Sequence, residues 1–140
     1  MNGPTGMVYN PGTALSSKWK DHFFIAEFRG TPANSPIHAF TLKSDGAGFA
    51  LDNTTEVIKG LLPTGLDFGP DGALYFGDWI DGWGSKNLGR LWKIDEVNSD
   101  LEDIRAKTKT LIQSDFDELS SQELISLLSY EDMRLSLIHI

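Results

Sequence analysis

The chain has 140 residues, 12 lysines and arginines against 20 aspartates and glutamates, a formal net charge of −8, and no cysteine. At this length a compact chain buries roughly 68% of its unfolded surface, enough for a real core, while the acidic balance excludes the Lys/Arg-rich patches that nucleic acid demands. Disulfides, thiolate nucleophiles, cysteine-ligated zinc, iron–sulfur clusters and covalent c-type haem are all excluded within these residues. The separated His22, His38 and His139 make no metal site, and no apolar run approaches the roughly 18 residues of a membrane span. The opening Met1-Asn2-Gly3-Pro4 lacks the charged and apolar segments of a signal peptide, so either the protein is not exported by that route or its true beginning lies elsewhere.

Composition divides the chain in two. All 14 glycines lie at or before Gly89 and all six prolines at or before Pro70. Residues 1–95 carry 8 basic and 10 acidic side chains, whereas 96–140 carry 4 and 10. A turn-punctuated, aromatic-rich stretch reads as short strands; the glycine-free, Leu/Ser/Glu-rich stretch that follows reads as helix.

In chain order the strands are predicted at about 5–9, 23–28, 37–42 and 54–58, then 64–68, 73–78, 90–95 and 108–112. They form an internal repeat. Pro4-Thr5-Gly6-Met7-Val8-Tyr9 matches Pro63-Thr64-Gly65-Leu66-Asp67-Phe68 at an offset of 59. Phe24-Ile25-Ala26-Glu27-Phe28 matches Tyr75-Phe76-Gly77-Asp78-Trp79 at 51, Phe40-Thr41-Leu42 matches Trp92-Lys93-Ile94 at 52, and Val57-Ile58 matches Leu111-Ile112 at 54. The punctuation has a physical basis. Asn10-Pro11-Gly12 suits a type II turn with Gly12 at positive φ, and in Gly69-Pro70-Asp71-Gly72 proline presets φ while Gly72 closes a type I-like turn.

A four-stranded antiparallel unit repeating every 50–60 residues marks a β-propeller blade, because a twisted sheet that is apolar on both faces needs a sheet on either side. Two blades close no ring, since propellers use about four to eight. The fold expected is therefore mainly β: two four-stranded blades of an incomplete β-propeller (about 1–60 and 61–113), followed by a short α-helical hairpin over 114–140. The partners implied are the missing blades of a longer parent chain. The alternative is a small two-sheet sandwich complete in itself, which leaves both outer faces wet.

Helix signals follow the strands. Ser120-Ser121-Gln122-Glu123 fits a capping box ahead of Leu124, Ile125, Leu127 and Leu128. Ser129-Tyr130-Glu131-Asp132 repeats that logic before Met133, Leu135 and Leu137. The closing Leu135-Ser136-Leu137-Ile138-His139-Ile140 also resembles adapter read-through, so His139 carries no weight.

Gly3-Pro4-Thr5-Gly6-Met7-Val8-Tyr9, Trp19-Lys20-Asp21-His22-Phe23-Phe24-Ile25-Ala26-Glu27, Gly69-Pro70-Asp71-Gly72-Ala73-Leu74-Tyr75 and Gly89-Arg90-Leu91-Trp92-Lys93-Ile94 together resemble the last two blades of the glucose/sorbosone dehydrogenase propellers. More closely they resemble a bacterial branch of membrane-bound dehydrogenases, in which the propeller runs into HEAT-like helical repeats. Gln122–Leu137 resembles the opening of such an array. The resemblance implies a six-bladed quinoprotein parent that oxidises sugars with pyrroloquinoline quinone and calcium, located in the periplasm or outside the cell. Neither cofactor is expected within this chain.

The sequence departs from that family where the chemistry lies. Two arginines that clamp the quinone's carboxylates in the family stand here as about Thr64 and Leu66, and a cofactor lysine falls near Phe28, with Arg29 adjacent as the basic substitute. The family's histidine base belongs to an earlier blade. No catalytic and no metal-ligating residue is assigned.

Residues 29–36, 59–64 and 79–89 are expected to share one rim, gathering Arg29, Asp78, Trp79, Asp81, Trp83, Lys86 and Asn87. In Asp78-Trp79-Ile80-Asp81-Gly82-Trp83-Gly84, carboxylates can orient hydroxyls and indoles can stack on sugar rings, which suits a saccharide. The competing reading is that Asp78 holds loop amides and Trp79 packs between blades. Asp78 and Asp81 fall far short of the six to eight oxygens calcium takes. Arg90 is expected to pair with a nearby carboxylate, Trp92 and Phe40 to sit in equivalent core places, Trp19 to plug a blade edge, and His22 and His38 to stand alone.

Overall fold

The computed structural model describes residues 3–80 and 86–136. It is mainly β, with two antiparallel sheets and a helical C-terminal part. The first sheet holds β1 (Gly3–Tyr9), β2 (Phe23–Phe28), β3 (Pro36–Asp45) and β4 (Gly48–Lys59) in sequence order. The second holds β5 (Pro63–Phe68), β6 (Leu74–Asp78) and β7 (Arg90–Ile94) and has three strands, not four.

The expected eighth strand at 108–112 lies inside helix α1 (Glu102–Ile112). Thr-Lys-Thr-Leu-Ile reads as a strand by residue type, but local and tertiary bonds decide otherwise. The Thr108 and Thr110 hydroxyls donate back to the carbonyls of Ile104 and Ala106, four residues earlier. Arg105, one turn before, is buried and donates to the Asp71 and Leu15 carbonyls at 3.0 and 3.1 Å and to the Asp95 carboxylate at 2.6 Å. That anchoring ties the segment to the turns below both sheets.

Pairing registers confirm the duplication and correct it. Met7 faces Ile25 and Tyr9 faces Phe23 in the first sheet; Leu66 faces Phe76 and Phe68 faces Leu74 in the second. Both copies carry the same irregularity after the first proline, at Pro4/Gly6 and at Pro63/Gly65. In the third strands, however, Ile25 faces His38 and Phe76 faces Trp92. His38, not Phe40, is therefore the counterpart of Trp92. A two-residue slip keeps the face and the aromatic pattern, so residue types alone could not expose it.

The core lies between the sheets. Phe24, Ala26, Ile37 and Ala39 on one face of the first pack against Leu66, Phe68, Leu74 and Phe76 of the second. Approach is tightest at the leading strands: a Cβ on Gly6 would lie 3.0 Å from Gly65 Cα, and the Thr5 hydroxyl donates to the Pro63 carbonyl at 2.9 Å. The sheets are not closed into a barrel.

The turn at Gly69–Gly72 forms, with Gly72 at φ +74° and its N–H bonding the Gly69 carbonyl at 2.9 Å; Gly12 takes the expected positive φ, +113°, but its amide bonds the Asn10 side chain at 2.9 Å. The helical part docks on these same turns. The capping box forms as expected, with Ser120 and Glu123 bonding each other's backbone amides at the start of α2 (Ser121–Leu127). The last helix, α3, spans Met133–Ser136 and starts at Asp132 rather than Ser129, because the Asp132 carboxylate accepts the Arg134 amide.

Asp132 is fully buried, bonded by the Thr13 hydroxyl and by the Arg134 guanidinium, which also reaches the Gly69 carbonyl at 2.7 Å. Met133 N–H bonds the Pro11 carbonyl at 2.8 Å, and a Cβ on Gly12 would sit 2.3 Å from the Glu131 oxygen. Only glycine permits that approach. The helices thus grip the equivalent turn of each repeat, with Leu127 and Leu135 buried beneath them.

Candidate functional site

The ends of β2 and β6 are joined through the rings of Phe28 and Trp79, and the loops around them meet. Gly60 N–H bonds the Pro32 carbonyl at 3.1 Å, and Trp79 N–H bonds the Leu62 carbonyl at 2.9 Å. The rings of Phe28 and Trp79 stack at 6.0 Å with an interplanar angle of 27°. Loops 29–35, 60–62 and the start of 79–89 therefore share a rim. Asp81 and Trp83 lie outside the described residues, and with them the second half of the proposed saccharide cluster.

Asp78 is 7% exposed. One carboxylate oxygen accepts the Leu62 amide at 2.9 Å and the other accepts the Trp92 indole N–H at 3.0 Å. Trp79 packs on Phe28, bridging the sheets. Both side chains serve the fold, as the blander reading of the sequence has it.

Arg29 is half exposed and ion-paired with Glu27, whose other oxygen lies 3.3 Å from His38 Nδ1. His38 also comes within 4.0 Å of Glu56, which pairs with Lys59 at 3.8 Å. His38 therefore does not stand alone. Correct register explains the arrangement: Glu27 corresponds to Asp78 and His38 to Trp92, so each sheet ties a carboxylate ending its second strand to a ring nitrogen on its third. The signal was in the sequence, in Glu27-Phe28 matching Asp78-Trp79.

Other candidates are also reassigned. Arg90 has no carboxylate partner among the described residues and lies 5.8 Å from the Trp92 ring. Trp92 is 37% exposed on the last strand rather than in the core, whereas Phe40 stacks on Phe23 at 5.2 Å. Trp19 packs on Phe24 and donates its indole N–H to Glu96 at 2.8 Å; the Lys18 ammonium, and after it this indole bond, hold the Glu96 carboxyl below the usual range. His22 is a surface residue near the Lys20 carbonyl.

The quinone of the resembled family fits poorly here. Leu66 packs against both core clusters, Thr64 turns its hydroxyl to the Gly77 carbonyl at 3.4 Å, and Arg29 is held by Glu27. Calcium fares no better: both oxygens of Asp78 already accept N–H donors, and the described residues contain no cluster of three or more His, Asp or Glu able to hold a metal. No described helix is long and apolar enough to cross a membrane.

The most strongly perturbed acid stands away from the rim. Burial pushes the Asp71 carboxyl up, but bonds from Lys93, the Ala73 amide and the Tyr75 hydroxyl outweigh it and hold the group at about 2. Lys93 is raised in turn, chiefly by its bond to Asp71. This network stabilises the far side of the second sheet, where Asp71 and Asp95 also line a hollow of about 260 Å³ with Glu96, Glu102, Arg105 and Lys109. No family model matches the chain, and comparison with the curated proteins and with the solved structures finds no match.

Proposed function

We propose that this chain is a non-catalytic, structural section of a propeller-like array, built to be packed between neighbouring sheets and to carry a helical extension. One observation carries the reading. Phe68, Leu74 and Phe76 of the second sheet are buried and Leu66 half-buried against the first, and their counterparts Met7, Tyr9, Phe23 and Ile25 form the first sheet's outward face. There Met7 is 59% exposed and Tyr9, Phe23 and Phe40 line up ring against ring across three strands. Apolar side chains placed to be covered in one copy and left open in the other call for a further sheet of the same kind.

The test is binding of an apolar fluorescent dye to the chain. Strong dye fluorescence is expected, falling several-fold in the variant Met7→Lys/Ile25→Lys with unchanged far-ultraviolet circular dichroism. A dye-silent wild type overturns the proposal.

A second reading, ligand binding at the rim, is favoured by the convergence of loops 29–35 and 60–62 and by a hollow of about 410 Å³ lined by Gly3, Pro4, Ile25, Glu27 and Arg29. A glycan-array screen of the chain separates the two: specific hits lost in Arg29→Ala support rim binding, and an empty array supports the structural role. Sugar oxidation belongs to either reading only through residues of a longer parent. Pyrroloquinoline quinone and calcium titrated into this chain are expected to give only the sum of the separate spectra of the chain and the free quinone.

A further inference from the structure

The two copies differ at their third strands. In the first sheet β3 is flanked by β4, and Pro36–Phe40 are largely buried. Their counterparts Arg90–Ile94 form the edge of the second sheet, exposed along nearly their whole length, because the segment expected to flank them is helix α1. An edge strand presents alternate amides and carbonyls ready for pairing. β7 contains no proline or glycine, and of its two charges Lys93 is neutralised by Asp71 and Asp95 rather than left bare on the edge; Trp92, the partner of Asp78, stands in its middle.

We infer that β7 is a docking edge for an extended peptide strand, running antiparallel and carrying a carboxylate opposite Arg90. The repeat supplies the geometry and the charges supply the selectivity. By correspondence with the pairing of β3 and β4, the docked strand sets its residues against Ile94, Trp92 and Arg90 as Thr54, Glu56 and Lys59 stand against Phe40, His38 and Pro36. Lys93 is already bonded to Asp71 and Asp95, which leaves Arg90 as the β7 cation without a carboxylate among the described residues. A second copy of β7 brings two further cations and no acid to this edge, so an acidic strand of a different partner chain suits it better than self-pairing.

The absence of cysteine makes a tethered test clean. Val97, 87% exposed and three residues past β7, is changed by Val97→Cys in the full chain. A synthetic peptide of Cys-Gly-Gly followed by Asn53–Lys59 with the change Lys59→Glu is joined to it by a disulfide. A short flexible tether supplies an effective concentration of about millimolar.

Amide hydrogen exchange across Arg90–Ile94 is compared with the same variant blocked by N-ethylmaleimide. Exchange of the outward-facing amides is expected to slow at least about tenfold. The peptide that keeps Lys59 is expected to protect less, and the variant Arg90→Glu to reverse the preference between the two peptides. Equal exchange in tethered and blocked chains overturns the inference. So does protection that ignores the charge swap, or protection in the blocked chain that rises with its own concentration, which assigns the edge to a second copy. None of these outcomes depends on the outward face of the first sheet.

Discussion

The two sheets are the same module set to different tasks. On the faces that correspond to Leu66, Phe68, Leu74 and Phe76 they agree, both apolar. On the opposite faces they part. The first sheet presents Val8, Phe24 and Ala39 to its neighbour, whereas the second carries Asp67, Tyr75 and Lys93 at the corresponding places. Tyr75 donates to Asp71, Lys93 pairs with Asp71 and Asp95, and Asp67 accepts the Phe68 amide, a face furnished for water or a polar neighbour. Leu91 alone keeps the apolar character there, at 74% exposure. Burial, and not strand propensity, separates the copies: the same pleat is filled with hydrocarbon where a sheet covers it and with ion pairs where none does.

The largest effect that sharpens this contrast comes from truncating matched residues. Phe76 is 1% exposed between the sheets, and Phe76→Ala is expected to cost about 3–5 kcal/mol. Its counterpart Ile25, on the outward face, is expected to cost less than about 1.5 kcal/mol when changed to Ala. Urea midpoints of the two variants check this, and equal losses would erase the distinction between covered and open faces.

Next in size is the carboxylate pair. Asp78→Ala strips partners from the buried Leu62 amide and from the Trp92 indole, an expected loss of about 2–4 kcal/mol. Glu27→Ala, at the corresponding position on the more open sheet, is expected to change stability by no more than about 1 kcal/mol. The Trp92 indole proton shift, read by NMR, should move in the first variant and stay in the second.

The polar face predicts a pH dependence. A carboxyl whose folded value lies below its unfolded one stabilises fully above the unfolded value and loses that contribution as the pH falls. For Asp71, held at about 2 in the folded chain against an ordinary 3.8, the window runs from about pH 4 down to pH 2. Its side chain is 23% exposed, so the contribution is about 1–2 kcal/mol after screening. Thermal melts between pH 5 and 2 should fall more steeply for the wild type than for Asp71→Asn. The smallest effect expected is Ser120→Ala, about 1 kcal/mol from the lost cap of α2, seen as reduced helical protection with both sheets intact.

Much of this fold was legible because its punctuation is chemical. Pro11-Gly12 and Pro70-Asp71-Gly72 announce turns whose φ angles few other residues adopt, and Ser120 with Glu123 announces a helix start by satisfying its first amides. The eighth strand misled because Thr108 and Thr110 suit either structure, and the choice rests on Arg105, whose partners at Leu15, Asp71 and Asp95 are distant or invisible to local pattern. His38 was missed for a related reason: a two-residue register shift keeps every side chain on its own face, and only the pairing reveals which ring meets which carboxylate. The rim was half legible. Among the described residues, 29–35, 60–62 and Trp79 meet as expected, but the internal bonds and contacts that commit Asp78 and Trp79 to the fold follow from three-dimensional neighbours.

The most direct test of the central claim is sedimentation velocity, from micromolar to high micromolar loading, on the wild-type chain and on Met7→Lys/Ile25→Lys/Leu51→Lys, Leu51 being the 60% exposed β4 residue that shares the outward face with Ile25 and Phe40. The account predicts a wild type whose sedimentation coefficient climbs with concentration and a variant that stays monomeric with the same strand content. A wild type that remains a single monomeric species throughout, with a variant that loses stability as a buried-core substitution does, would show that the first sheet's outward face needs no neighbour.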